Sequence, residues 1–238
     1  MTVVAASRAA NGALVAAIGL AHARLGGVVA ALTDAQVAQP SRLPGWSRGH
    51  VLAHLTELAA AVTRQIEAAR AGELVEVYEG GRPARDAAIE AGAGASAEGH
   101  QRSLRRATAG IGVLLTSLVP ADWDLPVRYR DGVVRTIVRA WWREVEIHTV
   151  DLDLGADSDA WSELFCDQTV EFLAPRAPAG TTLVLEASDG WARELGDGAR
   201  RVLRGERTDL VAWLAGREPV HPVRADDGGA LPALDPWP

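Results

Sequence analysis

The sequence predicts an α+β protein, with a bundle of four helices over residues 1–155 and a smaller α+β domain over residues 156–238. Three observations predict it. Apolar residues recur at helical spacing through the first two thirds of the chain, and the longer β-prone runs come after residue 180. A polar break at Gly155–Asp159 separates the two patterns. A length of 238 residues leaves room for one large domain or two modest ones.

Taken in order, the first helix runs from about Val4 to Leu32, and the Thr33–Pro44 segment, polar and with two prolines, is a loop. Ser47 can cap a second helix whose apolar stripe is Val51, Leu52, Leu55, Leu58, Ala59, Val62 and Ile66, ending near Gly72. After the Glu79–Pro83 loop, a helical region covers about Ala84 to Leu118, with Gly92 and Gly94 as points where it can divide. Asp131-Gly132 is a turn signal between short β-prone stretches, so Asp124–Val134 reads as a small hairpin or an extended excursion. The fourth helix follows, from about Arg135 to Leu152. In the second domain, Ala160–Leu173 reads as a helix, Thr181–Glu186 as a strand and Arg193–Leu203 as a weaker β region. Thr208 can cap a short helix to Leu214, and the tail from Pro219 is rich in Pro, Gly and Asp.

Composition excludes several function classes. The 24 basic residues are all arginine against 31 acidic ones, a formal charge of -7 that opposes attraction to phosphate backbones or anionic lipid. Nucleic acid and membranes are therefore not expected partners. Without lysine there is neither a Walker A loop nor a Schiff-base enzyme. The single cysteine, Cys166, cannot form an intramolecular disulfide and sits in an apolar stretch as a small core residue. Arg8, Asn11, His22 and Arg24 interrupt the apolar amino terminus, which reads as a helix and not as a signal peptide, so the cytoplasm is the expected compartment.

The densest chemistry lies in Trp141-Trp142-Arg143-Glu144-Val145-Glu146-Ile147-His148-Thr149-Val150-Asp151. Glu144 and His148 are four residues apart on a helix, so they share a face and can ligate one divalent ion. The same spacing also suits a plain ion pair, and a metal would need a third ligand from elsewhere. His54 on the second helix is the natural candidate, with His50 one turn earlier as a rival. His22, His100 and His221 read as ordinary polar contacts, and the Asp153, Asp157, Asp159 spacing does not fit a calcium loop.

Three segments in order carry a resemblance: Leu43-Pro44-Gly45-Trp46-Ser47-Arg48-Gly49-His50-Val51-Leu52-Ala53-His54-Leu55, then Ala84-Arg85-Asp86-Ala87-Ala88-Ile89-Glu90, then Arg143-Glu144-Val145-Glu146-Ile147-His148-Thr149-Val150-Asp151-Leu152. They resemble the mycothiol-dependent maleylpyruvate isomerases, within the wider DinB-like group of metal-binding four-helix bundles. The resemblance implies zinc held by His54, Glu144 and His148, mycothiol as thiol cofactor, and a small dicarboxylate substrate. It implies Arg85 as a catalytic, substrate-binding group and Arg217, in Trp213-Leu214-Ala215-Gly216-Arg217, as a catalytic, thiol-binding one; Arg82 is near enough to exchange with Arg85. The implied reaction belongs to aromatic degradation through gentisate: a thiolate adds to the double bond of maleylpyruvate, the bond rotates, and the thiol leaves fumarylpyruvate. Two other readings stay open, a mycothiol S-transferase acting on another electrophile and a non-catalytic helical binding protein.

Overall fold

The computed structural model describes residues 3–238, with side chains from residue 7 onward, and it divides into two compact units, one up to Ala156 and one over Asp157–Pro238. Among the described residues, the first unit contains six α-helices: α1 (Val3–Val29), α2 (Asp34–Val37), α3 (Arg48–Arg70), α4 (Gly81–Ala93), α5 (Ala97–Ser117) and α6 (Val134–Asp151). The four long ones close a ring, because α1 packs on α5 and α6, and α3 also packs on α5 and α6, with α4 lying against α3. Their inner stripes meet as one core: Leu14, Ile18 and Leu25 from α1, Leu52, Leu55 and Ile66 from α3, Leu104 and Ile111 from α5, and Ile137 and Trp141 from α6 are all buried. Side chains at positions 1–6, including the expected helix start at Val4, lie outside the described residues.

By length and composition alone, Ser7–Val29 of α1 is apolar enough to cross a membrane. Its polar residues are used inside the bundle: Arg24 forms an ion pair with Glu146 of α6, and His22 accepts a hydrogen bond from Trp141 Nε1 at 2.8 Å.

Several expectations on element boundaries are revised. The Ala84–Leu118 helical region, which Gly92 and Gly94 left open to division, does divide, at Gly94–Ser96, where Ser96 caps α5 by accepting from Gly99 N–H. The Thr33–Pro44 loop contains α2, started by a Thr33–Gln36 capping box. Asp124–Val134 forms no strand pair: Arg130 and Asp131 take left-handed φ values of 54° and 47°, which interrupts any ladder and leaves only an isolated bridge between Pro126 and Val133. Ser47 does cap α3.

The second unit has α7 (Glu163–Leu173), β1 (Gly180–Ala187), β2 (Ala192–Gly196), β3 (Gly198–Gly205), α8 (Arg207–Leu214) and β4 (Arg224–Ala225). The sheet order is β2-β1-β3-β4; β1 pairs antiparallel with β2 and parallel with β3, and β4 is antiparallel to β3. The Arg193–Leu203 region is thus two strands on opposite sides of β1. Gly196 and Gly198 permit this passage: a Cβ at Gly198 would stand 2.1 Å from the Gly180 carbonyl oxygen and one at Gly196 2.4 Å from that of Thr181. α8 packs on β1 and β3 as well as on α7, burying Leu210, Val211 and Leu214 with Leu183, Leu185, Phe165 and Cys166. Two helix starts differ from expectation: α7 begins after its cap Ser162 and not at Ala160, and the cap position of α8 is Glu206 in place of Thr208.

Candidate functional site

The site grows from the meeting of α3 and α6. Arg48, buried in the first turn of α3, donates from Nε to the Leu152 carbonyl at 2.7 Å and from Nη2 to that of Asp153 at 2.9 Å. Arg42 N–H donates to the Asp151 carbonyl at 2.8 Å. These bonds satisfy carbonyls that the end of α6 leaves without helical partners, and they fix the start of α3 beside that end. Gly49 lets α4 come equally close, since a Cβ there would stand 2.0 Å from the Ala93 carbonyl oxygen.

That junction brings His54, Glu144 and His148 together. His54 Nε2 and His148 Nε2 each lie 3.0 Å from the same carboxylate oxygen, Glu144 Oε2, and the two rings stand at 90° with centroids 4.9 Å apart. One ligand atom from each residue falls within 4.8 Å of the others. Zinc–ligand bonds of about 2.0–2.2 Å in tetrahedral geometry separate neighbouring ligand atoms by roughly 3.3 Å, so this two-imidazole, one-carboxylate set fits a zinc-type ion with a small outward relaxation.

Neighbouring groups distinguish the two histidines. Asp151, fully buried, places Oδ2 2.8 Å from His148 Nδ1, the arrangement that orients a ligating imidazole. Against His54 Nδ1 lies Arg85 Nη2 at 3.1 Å; the same guanidinium donates to Asp86 Oδ1 at 2.7 Å and lies 5.5 Å from the centre of the Tyr78 ring. The Trp46 ring walls the other side of His54, 5.6 Å between centroids.

Electrostatics follow from this packing. Burial lowers the pKa of His54 despite the Glu144 bond that raises it. Burial alone would raise Glu144, yet hydrogen bonds from His148 and His54 hold its carboxyl well below the usual range. Burial also works against protonation of His148, but Asp151 and Glu144 outweigh it and push the imidazole up to about 9. The triad without metal is therefore an anionic carboxylate between two rings, one of them readily protonated.

His50, the rival third ligand, has other work. Its Nδ1 accepts from Ser47 N–H at 3.2 Å in a capping box, and its Nε2 lies 3.2 Å from Glu90. Glu146 turns to α1, bonded by Arg24 and, at 3.2 Å, by Trp142 Nε1. Arg82 is exposed, whereas Arg85 reaches the cluster. Arg217 belongs to the second unit, where it donates to the Ala215 carbonyl at 2.9 Å and lies over the Trp237 ring. Asp151 closes the same sequence motif without an assigned role there, and its spacing of three residues from His148 is the signal that points to it.

A second group, Asp159, Asp209 and His221, also places ligand atoms within 4.8 Å of one another. Buried Asp209 spends its oxygens on the backbone N–H groups of Val220 and His221 and on the His221 ring, which makes it an anchor for the tail.

Comparison with known proteins agrees with this architecture. No curated protein matches the chain. Among solved structures, the crystal structure of the mycothiol-dependent maleylpyruvate isomerase matches with a TM-score of 0.84 and 22% identity, over 95% of this chain and 97% of that one. A histidine-to-alanine mutant of that isomerase matches with the same TM-score at 21% identity and the same coverage. At that identity the likeness speaks for the fold. The family described as mycothiol maleylpyruvate isomerase N-terminal domain matches residues 18–153, a span that holds His54, Arg85, Glu144 and His148. With more than half of its length matched, the chain belongs to the mycothiol maleylpyruvate isomerase N-terminal domain family.

Proposed function

We propose that this chain is a zinc- and mycothiol-dependent isomerase that converts maleylpyruvate to fumarylpyruvate by reversible thiolate addition. The observation that carries the reading is the convergence of His54, Glu144 and His148 on one point, in a chain of this family. His54, Glu144 and His148 would hold the zinc ion, which would supply a Lewis acid able to favour the ionised form of a thiol near neutral pH, where an ordinary thiol of pKa about 8.5 is mostly protonated.

The chain's own residues would act as follows. Glu144 contributes the one negative charge among the three ligands, and Asp151 fixes the His148 ring so that Nε2 faces the site. Trp46, beside His54, shields that side of the ligand set from water. Arg85 supplies a guanidinium to a substrate carboxylate; a protein of formal charge -7 needs such a local cation to hold a dicarboxylate, and the guanidinium fork binds one with two hydrogen bonds. Arg217 is assigned to the thiol cofactor on its motif alone. The expected setting is cytoplasmic, with small-molecule partners.

The test is turnover of maleylpyruvate by zinc-loaded protein with and without mycothiol, followed spectroscopically. Strictly thiol-dependent formation of fumarylpyruvate supports the reading. No conversion by protein shown to hold one zinc per chain overturns it and favours an S-transferase acting on another electrophile.

A further inference from the structure

His54 and His148 present Nε2 to the same oxygen, yet their far nitrogens meet opposite partners. His148 Nδ1 faces a carboxylate, which accepts, so that nitrogen carries a proton and Nε2 is the atom left for a metal. His54 Nδ1 faces Arg85 Nη2 at 3.1 Å. A guanidinium has five donors and no acceptor, so Nδ1 must be the acceptor of this bond. The ring proton of neutral His54 then sits on Nε2, where it is donated to Glu144 Oε2 at 3.0 Å.

This hydrogen-bond wiring opposes metal ligation. Zinc needs the Nε2 lone pair, and a neutral imidazole that gives up Nε2 carries its proton on Nδ1. An Nδ1–H aimed at a guanidinium N–H is donor against donor, and the bond to Arg85 is lost. The geometry points to Arg85 as a positioning residue that holds metal-free His54 in its non-ligating tautomer and is released by metal binding, so that metal ligation and the Arg85–His54 bond exclude each other. The inference rests on the zinc reading above and deepens it.

Its consequence is a coupling between metal and anion binding. In the metal-free chain Arg85 Nη2 is bonded to a ring nitrogen, and metal binding frees that donor for an anion. By thermodynamic reciprocity, an anion that draws Arg85 away from His54 tightens metal binding by the same factor by which metal tightens anion binding. Asp86 and the Tyr78 ring hold the guanidinium nearby in either state without competing for the ring nitrogen.

The experiment uses the full chain, stripped of metal, with histidines labelled in the ring by nitrogen-15 and the His54 signals assigned by loss in His54→Gln. Metal-free wild type should show the Nε2–H tautomer at His54, and Arg85→Met should shift it toward Nδ1–H. In competition with a chromophoric chelator, Arg85→Met should bind zinc about tenfold more tightly than wild type. Arg82→Met, which removes the same charge from an exposed position on the same helix, should change zinc affinity less than about twofold. An Nδ1–H tautomer in the metal-free wild type overturns the proposal. So does an Arg85→Met protein of unchanged circular dichroism that binds zinc no more tightly than wild type. If neither protein binds zinc, the zinc reading fails and this inference fails with it.

Discussion

Asp151 and His22 show how much a single buried contact decides. Asp151 is fully buried at the end of α6 and its side chain touches the candidate ligand His148. Asp151→Asn keeps the volume but can present an amide N–H to Nδ1, which favours the wrong tautomer. Zinc affinity should fall about 10–100-fold, as for other groups that orient metal ligands, with the helical circular dichroism unchanged. His22 sits in α1 with its ring accepting from Trp141, and burial pushes its pKa down to about 4. Its folded-state value thus lies below the unfolded value near 6.5, and the unfolded chain takes up the proton first as pH falls. The stability linked to a neutral His22 is complete above about pH 6.5 and drains away between 6.5 and 4. At pH 5 the loss amounts to at most about 2 kcal/mol by this linkage, less for a ring that is partly solvated. Urea denaturation at pH 7 and pH 5 should show a larger drop for wild type than for His22→Gln; equal drops would remove His22 from the account.

Two glycines on helices are expected to respond to the same substitution with opposite sign. Glycine to alanine in an exposed helix interior normally stabilises by up to about 1 kcal/mol. Gly110 of α5 has nothing within 4 Å of an added Cβ, and Gly110→Ala should raise the thermal midpoint. At Gly49 the new methyl would meet the Ala93 carbonyl oxygen at 2.0 Å and Val37 Cγ1 at 2.9 Å, so α4 must retreat from α3. Gly49→Ala should therefore destabilise by about 1–3 kcal/mol, the usual cost of overpacking, in the same thermal melt. The two positions look alike in the sequence, because helix periodicity describes one helix at a time. The same limit applies to the Ala84–Leu118 region: its glycines allow a division, but α4 and α5 each keep helical spacing, and the packing of α4 on α3 is what shows that the chain turns at Gly94–Ser96.

For the whole molecule, metal and stability should be linked through the bundle. Zinc that binds the folded ligand set and not the unfolded chain stabilises by about 2.7 kcal/mol at a hundredfold excess over its Kd. Zinc should raise the unfolding midpoint of wild type, a chelator should reverse the rise, and His54→Ala should show neither effect; an equal rise in the variant would show that zinc acts elsewhere. Without structural help the sequence determined the α+β class, the capping of α3 by Ser47, and the shared face of Glu144 and His148, because all three depend on local spacing. The lysine-free, acidic composition likewise narrowed the chemistry before any fold was known. Tertiary structure decided which neighbours those residues meet. His50 and His54 share a helix face one turn apart, and only the approach of α6 gives Glu144 to His54 while Ser47 and Glu90 occupy His50. Arg82 and Arg85 likewise differ by one turn of α4, yet Arg85 alone of the two reaches the cluster. Spacing along a helix fixes a direction, and the partner found in that direction depends on contacts between residues far apart in the chain.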